Sequence, residues 1–175
     1  GLDAQYDEYE KTGARIIARD SGNWFYSFVI NKGEQDGIAV DMNVMAGSGL
    51  VGRIVDVGPN WAKVKAIIAD DSNVSAMVLS SSDNMIVSGN LKLYATGVIE
   101  FEQLIDSANA VVEGDKIVTS NISDKYLPGI LIGYISKIDQ DSNNLTKSGN
   151  ITPAVDFEHL EEVLIIKQLK QTIEE

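Results

Sequence analysis

Hydrophobic and polar positions change their period early in this chain. Leu2, Tyr6, Tyr9, Gly13 and Ile16 recur at alternating steps of four and three, with Asp3, Asp7, Glu8, Glu10 and Lys11 between them. That spacing is the seam of a coiled coil, and it predicts a helix over residues 1–13. Two tyrosines and a glycine make the seam weak, and a helix this short is not stable alone. The segment reads either as a solvated helical arm with one sticky face or as the tail of a longer coiled coil.

From Ala14 onward the pattern is that of strands. Ile16–Ala18, Trp24–Ile30, Leu50–Val57, Val64–Ile68, Val74–Leu79, Lys116–Thr119, Ile130–Ile138 and Val163–Ile166 are short β-branched or aromatic runs. Turn signals separate them, among them Asn31-Lys32-Gly33, Asp36-Gly37, Gly58-Pro59-Asn60, Asp70-Asp71-Ser72-Asn73 and Ser88-Gly89-Asn90. Short strands with closely spaced turns predict an all-β sandwich or barrel. Pro59, Pro128 and Pro153 all fall between runs, where a missing N–H does no harm. Beyond the N-terminal arm only Asp156–Glu161 looks helical.

The chain also echoes itself. Val44, then Gly52-x-Ile54-x-x-Val57, is repeated as Ile117, then Gly133-x-Ile135-x-x-Ile138. Each half places a glycine where a strand starts or bends hard, which suits the corner of a small closed barrel. Two similar β units are therefore favoured over one large sheet. The 175 residues suffice for two modest cores.

Composition narrows the chemistry. The chain is 44% hydrophobic and 23% charged, as folded proteins are. Its net charge of −12 argues against nucleic acid, because phosphate binding needs clustered Lys and Arg. Lys63 and Lys65 are the nearest approach to such a cluster. No apolar run is long enough to span a membrane, and no signal-peptide pattern opens the chain. Cysteine is absent, which excludes disulfides, thiolate metal sites and thiol catalysis. His159 is the single histidine.

Three motifs deserve a chemical test. Gly47-Ser-Gly49-Leu-Val-Gly52 matches a dinucleotide fingerprint, but that fingerprint needs a helix after the glycines. Arg53-Ile-Val-Asp-Val57 is β-branched and stops at Gly58-Pro59, so the glycines read as a strand crossing. Asp139-Gln-Asp141-Ser-Asn143 resembles half a calcium loop, but Asn144 stands where Gly is required and Asn150 where a bidentate Glu is required. A polar hairpin between Ile138 and Ile151 is the better reading. A chymotrypsin-like protease would need His, then Asp, then Ser in chain order, and neither Asp nor Ser follows His159. Asp115 and Thr119-Ser120-Asn121 read as turn and edge residues, with Asn121 suited to a left-handed conformation.

An ordered set of short segments resembles the extracytoplasmic part of the bacterial cell-shape-determining MreC family. It comprises Ile30-Asn-Lys-Gly33-Glu-Gln-Asp-Gly37-Ile38, Met42-Asn-Val44, Gly49-Leu-Val-Gly52-Arg53-Ile54, Trp61-Ala-Lys-Val64 and Ile68-Ala-Asp70. It continues with Gly114-Asp115-x-Ile117-Val118-Thr119-Ser120, Leu127-Pro128-Gly129-Ile130-Leu-Ile-Gly133 and Pro153-Ala-Val-Asp156-Phe-x-x-Leu160-x-x-Val163. The likeness runs from about Ala14 to Ile166. The family usually carries Gly where this chain has Asn121.

The resemblance implies an all-β fold of two small β-barrel-like units, chymotrypsin-like in architecture but not catalytic. Residues 14–72 with 151–170 would form the first, and 73–150 an inserted second. Residues 1–13 would end a coiled coil, with Leu2, Tyr6 and Tyr9 at a dimer seam. Gly33, Gly37, Gly49, Gly52, Gly114, Asp115, Pro128, Gly129 and Gly133 would serve as turns and barrel corners. No catalytic residue, cofactor or metal is expected. The implied function is a scaffold of cell-wall elongation that maintains rod shape. It would self-associate as a dimer or filament, and bind a class B penicillin-binding protein and other membrane morphogenesis proteins. A membrane helix outside this sequence would anchor it at the extracytoplasmic face. The net charge predicts weak affinity for anionic lipid, so placement would come from that anchor and from partners. The rival functions are a chymotrypsin-like protease and a calcium-dependent adhesion module.

Overall fold

The computed structural model describes residues 9–19 and 26–170. Twelve strands make nearly all of its regular structure. They are β1 (Lys11–Arg19), β2 (Ser27–Ile30), β3 (Asn43–Ala46), β4 (Gly49–Val57), β5 (Ala62–Ala66) and β6 (Asn73–Val78), then β7 (Asn84–Ser88), β8 (Ile99–Leu104), β9 (Lys116–Thr119), β10 (Leu131–Gln140), β11 (Lys147–Pro153) and β12 (Glu162–Ile166). The order β4-β3-β12-β1-β2-β5 closes on itself because β5 also pairs with β4. The order β10-β9-β6-β7-β8-β11 closes in the same way, because β11 pairs with β10. All pairs within the two rings are antiparallel, and a single parallel bridge, Leu131 to Gly49, joins one ring to the other.

The strands form where side chains alternate between core and solvent. On β5, Ala62, Val64 and Ala66 are buried while Lys63 and Lys65 point outward. On β8, Ile99 and Phe101 are buried between exposed glutamates. Gln103 then turns to φ 60° as a bulged residue, which lets Leu104 re-enter the core. Phe28, Ile30, Leu50, Ile54 and Ile165 fill the first ring. Phe101, Ile117, Ile132, Ile135 and Ile151 fill the second. Each side chain of this size contributes about 1.5–3 kcal/mol when fully buried.

The echo within the sequence is a repeat of backbone design. Val44 pairs with Gly52, and Ile117 with Gly133. A bulge follows Ile54 on β4 and Ile135 on β10. Asp41 N–H donates to Ile54 O at 2.8 Å, and Ile54 N–H to Met42 O at 2.9 Å. The counterparts are Gly114 N–H to Ile135 O at 2.7 Å and Ile135 N–H to Asp115 O at 3.0 Å.

Several expectations need correction. Residues 1–8, with Leu2 and Tyr6, lie outside the described residues. Lys11–Gly13, expected as the end of a helix, are strand. Thr12 and Gly13 pair with Ile165 and Leu164, and this sheet pairing outweighs a weak seam. Four strands, β3, β7, β8 and β11, fall outside the runs named from the sequence. A one-turn helix, α1 (Leu91–Tyr94), is capped by Asn90, whose side chain accepts from Leu93 N–H at 2.8 Å. The helical expectation at Asp156–Glu161 becomes a short 3₁₀ turn, Phe157–His159. Asn121 is not left-handed; Asn144, in the β10–β11 hairpin, is, with φ 57°.

Gly52 and Gly133 cannot carry side chains. A Cβ on Gly52 would enter the carbonyl oxygen of Lys65, and one on Gly133 the carbonyl oxygen of Thr152. Gly52→Ala and Gly133→Ala are each expected to lose about 1–3 kcal/mol or more in urea unfolding. Gly13→Ala, in the open face of β1 with nothing near its Cβ, should instead gain about 0.5–1 kcal/mol.

Candidate functional site

The residues marked by the sequence take up structural stations spread over both rings. Gly33 opens the 3₁₀ turn Glu34–Asp36, its N–H bonded to Asp36 Oδ2 at 3.1 Å, and Gly37 closes that turn at φ 80°. Gly49 begins β4 against Val155. Gly114 has φ 90° and Gly129 φ 83°. The Asp115 carboxylate accepts from Val112 N–H at 2.9 Å. Pro128 sits before Gly129 in the loop that leads to β10. Tyr9 packs partly against the core of the first barrel. No two of these converge on a common cavity that could serve as a reaction centre.

The motifs weighed for catalysis and metal binding also have local roles. Gly47, at φ 58°, turns the β3–β4 hairpin, and a strand follows it rather than a helix. His159 Nδ1 lies 2.7 Å from Asp156 Oδ2 on an exposed turn, and among the described residues no hydroxyl meets its other nitrogen. Asp141 is spent inside its hairpin. It accepts from the hydroxyls of Ser148 at 2.5 Å and Thr146 at 2.6 Å, and these bonds hold its carboxyl below the usual range. Among the described residues no three or more of His, Asp and Glu gather as metal ligands.

Polar residues gather instead where the barrels meet. Asn43, fully buried on β3, donates from Nδ2 to Lys125 O at 3.0 Å and to Asp41 O at 3.2 Å, and accepts on Oδ1 from Leu127 N–H at 2.8 Å. Asp41 takes Arg53 at 2.7 Å on one oxygen and Lys125 at 2.9 Å on the other. Burial pushes the Tyr126 hydroxyl up to about 12. Thr119 and Ser120 are interior, not edge residues. Thr119 Oγ1 donates to Leu127 O at 2.6 Å and accepts from Ile130 N–H at 2.8 Å, pinning the loop that reaches Asn43. A polar cavity of about 240 Å³ lies beneath this loop, between Arg53, Lys65, Ser75, Ser123 and Tyr126. Elsewhere on the seam Tyr94 meets Phe157 edge-on, with centroids 5.6 Å apart, and its hydroxyl accepts from Phe157 N–H at 3.2 Å.

The sequence reading missed Asn43, Lys125, Tyr126, Tyr94 and Phe157 as a group. One signal was present: Asn43 interrupts the apolar stretch Met42–Met45, and a lone amide among buried neighbours needs partners. A second covered pair is Asp106–Lys147, 2.8 Å apart, with the Asp106 side chain wholly covered. Asp106 also accepts from the amides of Ala110 at 2.9 Å and Val111 at 3.1 Å, which shapes the loop before β9.

Two closed six-stranded barrels joined at a polar seam define the class of this protein. The comparisons give that class a family. The model of the rod shape-determining protein MreC, barrel core, matches residues 16–167. The cell shape-determining protein MreC of Listeria monocytogenes is 32% identical over 164 residues, covering 92% of this chain and 55% of the relative. A solved Listeria MreC structure superposes with TM-score 0.83 at 30% identity, covering 95% of this chain and 80% of that one. MreC in a complex between penicillin-binding protein (PBP2) and MreC from Helicobacter pylori shares the fold, with TM-score 0.66 at 15% identity over 91% of this chain and 100% of that one. The chain belongs to the MreC family, whose relatives named here are cell shape-determining proteins. It spans about half the length of the curated relatives it matches. Among the described residues no helix is long and apolar enough to cross a membrane.

Burial pushes the Asp106 carboxyl up, but the Lys147 ammonium and the two amides outweigh it and hold the group below its ordinary value of 3.8. A depressed folded value adds stability above the unfolded value, about pH 4, that is lost as pH falls through the folded one. Asp106→Asn should therefore cost about 1–3 kcal/mol at pH 7. The gap to the parent should narrow below about pH 4, as read from thermal melts across pH.

Proposed function

We propose that this chain is the extracytoplasmic barrel region of a membrane-anchored scaffold of cell-wall elongation. It maintains rod shape by self-association and by binding a class B penicillin-binding protein and other membrane morphogenesis proteins. The observation that carries the reading is the family match over residues 16–167. A relative of the same fold in complex with PBP2 supports the choice of partner. The apolar side chains of Ile17 on β1 and of Ile105, Ile122 and Leu145 in loops are each more than half accessible.

Residues 14–72 with 151–170 act as one unit and 73–150 as another in this reading, except that Ile151, Thr152 and Pro153, expected with the first unit, pair on β11 with β10 and so belong to the second ring. Each ring closes on its own six strands, which supports the division, while the buried side chains of both form one continuous cluster. Leu2, Tyr6 and Tyr9 form the self-association seam at the end of a coiled coil. Tyr9 already packs in part on the first barrel, so Leu2 and Tyr6 carry most of that contact. The turn and corner residues, Gly33 to Gly133, act only through the shape they give the barrels.

Two measurements test the reading. The extracytoplasmic region of a class B penicillin-binding protein from the same cell, immobilised for interferometry, should bind the full-length protein and this chain; no binding at tens of micromolar sinks the partner assignment. Light scattering over a concentration series should show a larger species for the chain than for the chain without residues 1–8. Truncation stops there because β1 begins at Lys11. Equal masses at every concentration would remove the seam.

A further inference from the structure

The internal repeat makes the seam informative, because each barrel serves as a control for the other. Asp41 and Gly114 hold the same place in the two hydrogen-bonded frames, as do Asn43 and Lys116, and Arg53 and Tyr134. The backbone at this place is left-handed in both barrels, with φ 76° at Asp41 and 90° at Gly114. Glycine suits that conformation, and an aspartate in it is strained. The second barrel keeps the glycine, and its Tyr134 is 40% exposed. The first barrel carries a carboxylate there and spends both its oxygens, one on Arg53 of its own β4 and one on Lys125 of the other barrel. Two residues on, Asn43 is buried and bonded to the backbone of the same foreign loop at Lys125 O and Leu127 N–H. The strain at Asp41 therefore coincides with the contacts that cross the seam.

We propose that Asp41 and Asn43 on the first barrel, with Lys125 on the second, form a latch that fixes the angle between the two barrels. Among the described residues, one strand-to-strand bridge, Leu131–Gly49, joins the two rings. A single bridge allows rotation that a ladder would forbid. Other crossings are Tyr94 on Phe157 of the β11–β12 connection, Leu91 N–H to Asp70 Oδ1 at 2.9 Å, Ala154 N–H to Ile132 O at 2.9 Å, Gly89 against the carbonyls of Ile67 and Ala69, and Lys170 Nζ to Asn121 O at 2.9 Å from the segment after β12. With the latch closed, a surface made from both barrels is presented to a partner in one geometry. With the latch open, each barrel keeps its fold while the composite surface is lost.

The absence of cysteine allows a direct test. Glu162→Cys on β12 and Glu102→Cys on β8 place one spin label on each barrel, both at exposed strand positions. Pulsed electron paramagnetic resonance then reads the distribution of distances between them. In the otherwise unaltered protein a single narrow distribution is expected. Asp41→Gly removes both carboxylate contacts and installs the residue that the second barrel shows to fit this backbone. Lys125→Met removes the cation but keeps the length of the stem. Each is expected to broaden the distribution at least twofold while unfolding stays cooperative. An unchanged width in both variants overturns the proposal. Broadening accompanied by loss of cooperative unfolding at the temperature of measurement also overturns it, because the group would then be part of the first barrel's fold rather than a latch.

Discussion

Neither ring has a free edge, because its sixth strand returns to its first, and that return is made at β4–β5 in one barrel and β10–β11 in the other. Closing so small a sheet requires one strand to bend sharply while its backbone stays bonded on both sides. Gly52 and Gly133 supply the bend by letting the neighbouring carbonyl occupy the place of a side chain. The bulges after Ile54 and Ile135 add twist just beyond it. Once these corners are in place, alternation along each strand decides what lies inside, and both cores fill with Val, Ile, Leu, Phe and Met. Closure also removes the exposed strand edges through which β proteins aggregate.

The same economy explains why polar groups gather at the seam. A closed barrel satisfies most of its backbone internally, so apart from the Leu131–Gly49 bridge the contact between the two barrels comes from side chains and loops. Asn43 meets the donors and acceptors of a loop at a cost that only full hydrogen bonding offsets. Thr119 holds that loop from the other side. The seam thus has defined polar partners, where a purely apolar contact would tolerate sliding.

Much of this was legible in the residues. The β-branched runs found eight of the strands because their signal, alternation bounded by turn residues, is local. The echo of Val44, Gly52 and Ile54 in Ile117, Gly133 and Ile135 was visible because corner glycines and the apolar residues beside them are fixed by backbone geometry. Other elements were hidden. β11 buries only Ile151, so nothing in Lys147–Pro153 distinguishes it from a loop until β8 and β10 flank it. β8 places glutamates, poor strand formers, at its outward positions. Asn121 looked suited to a positive φ, yet the backbone there has no need of one; its neighbours Thr119 and Ser120 are pinned by bonds to residues distant in sequence. The seam itself joins Asn43 to Lys125 and Leu127, and no local pattern couples positions so far apart.

By itself the sequence determined the class of structure and the places where the chain must turn. Those properties belong to single residues and near neighbours. The tertiary structure alone decided the strand neighbours, the start of β1 at Lys11, and the convergence of Asp41, Asn43 and Lys125 between the barrels. Those depend on which backbone groups remain to be satisfied after closure, and only the completed rings settle that.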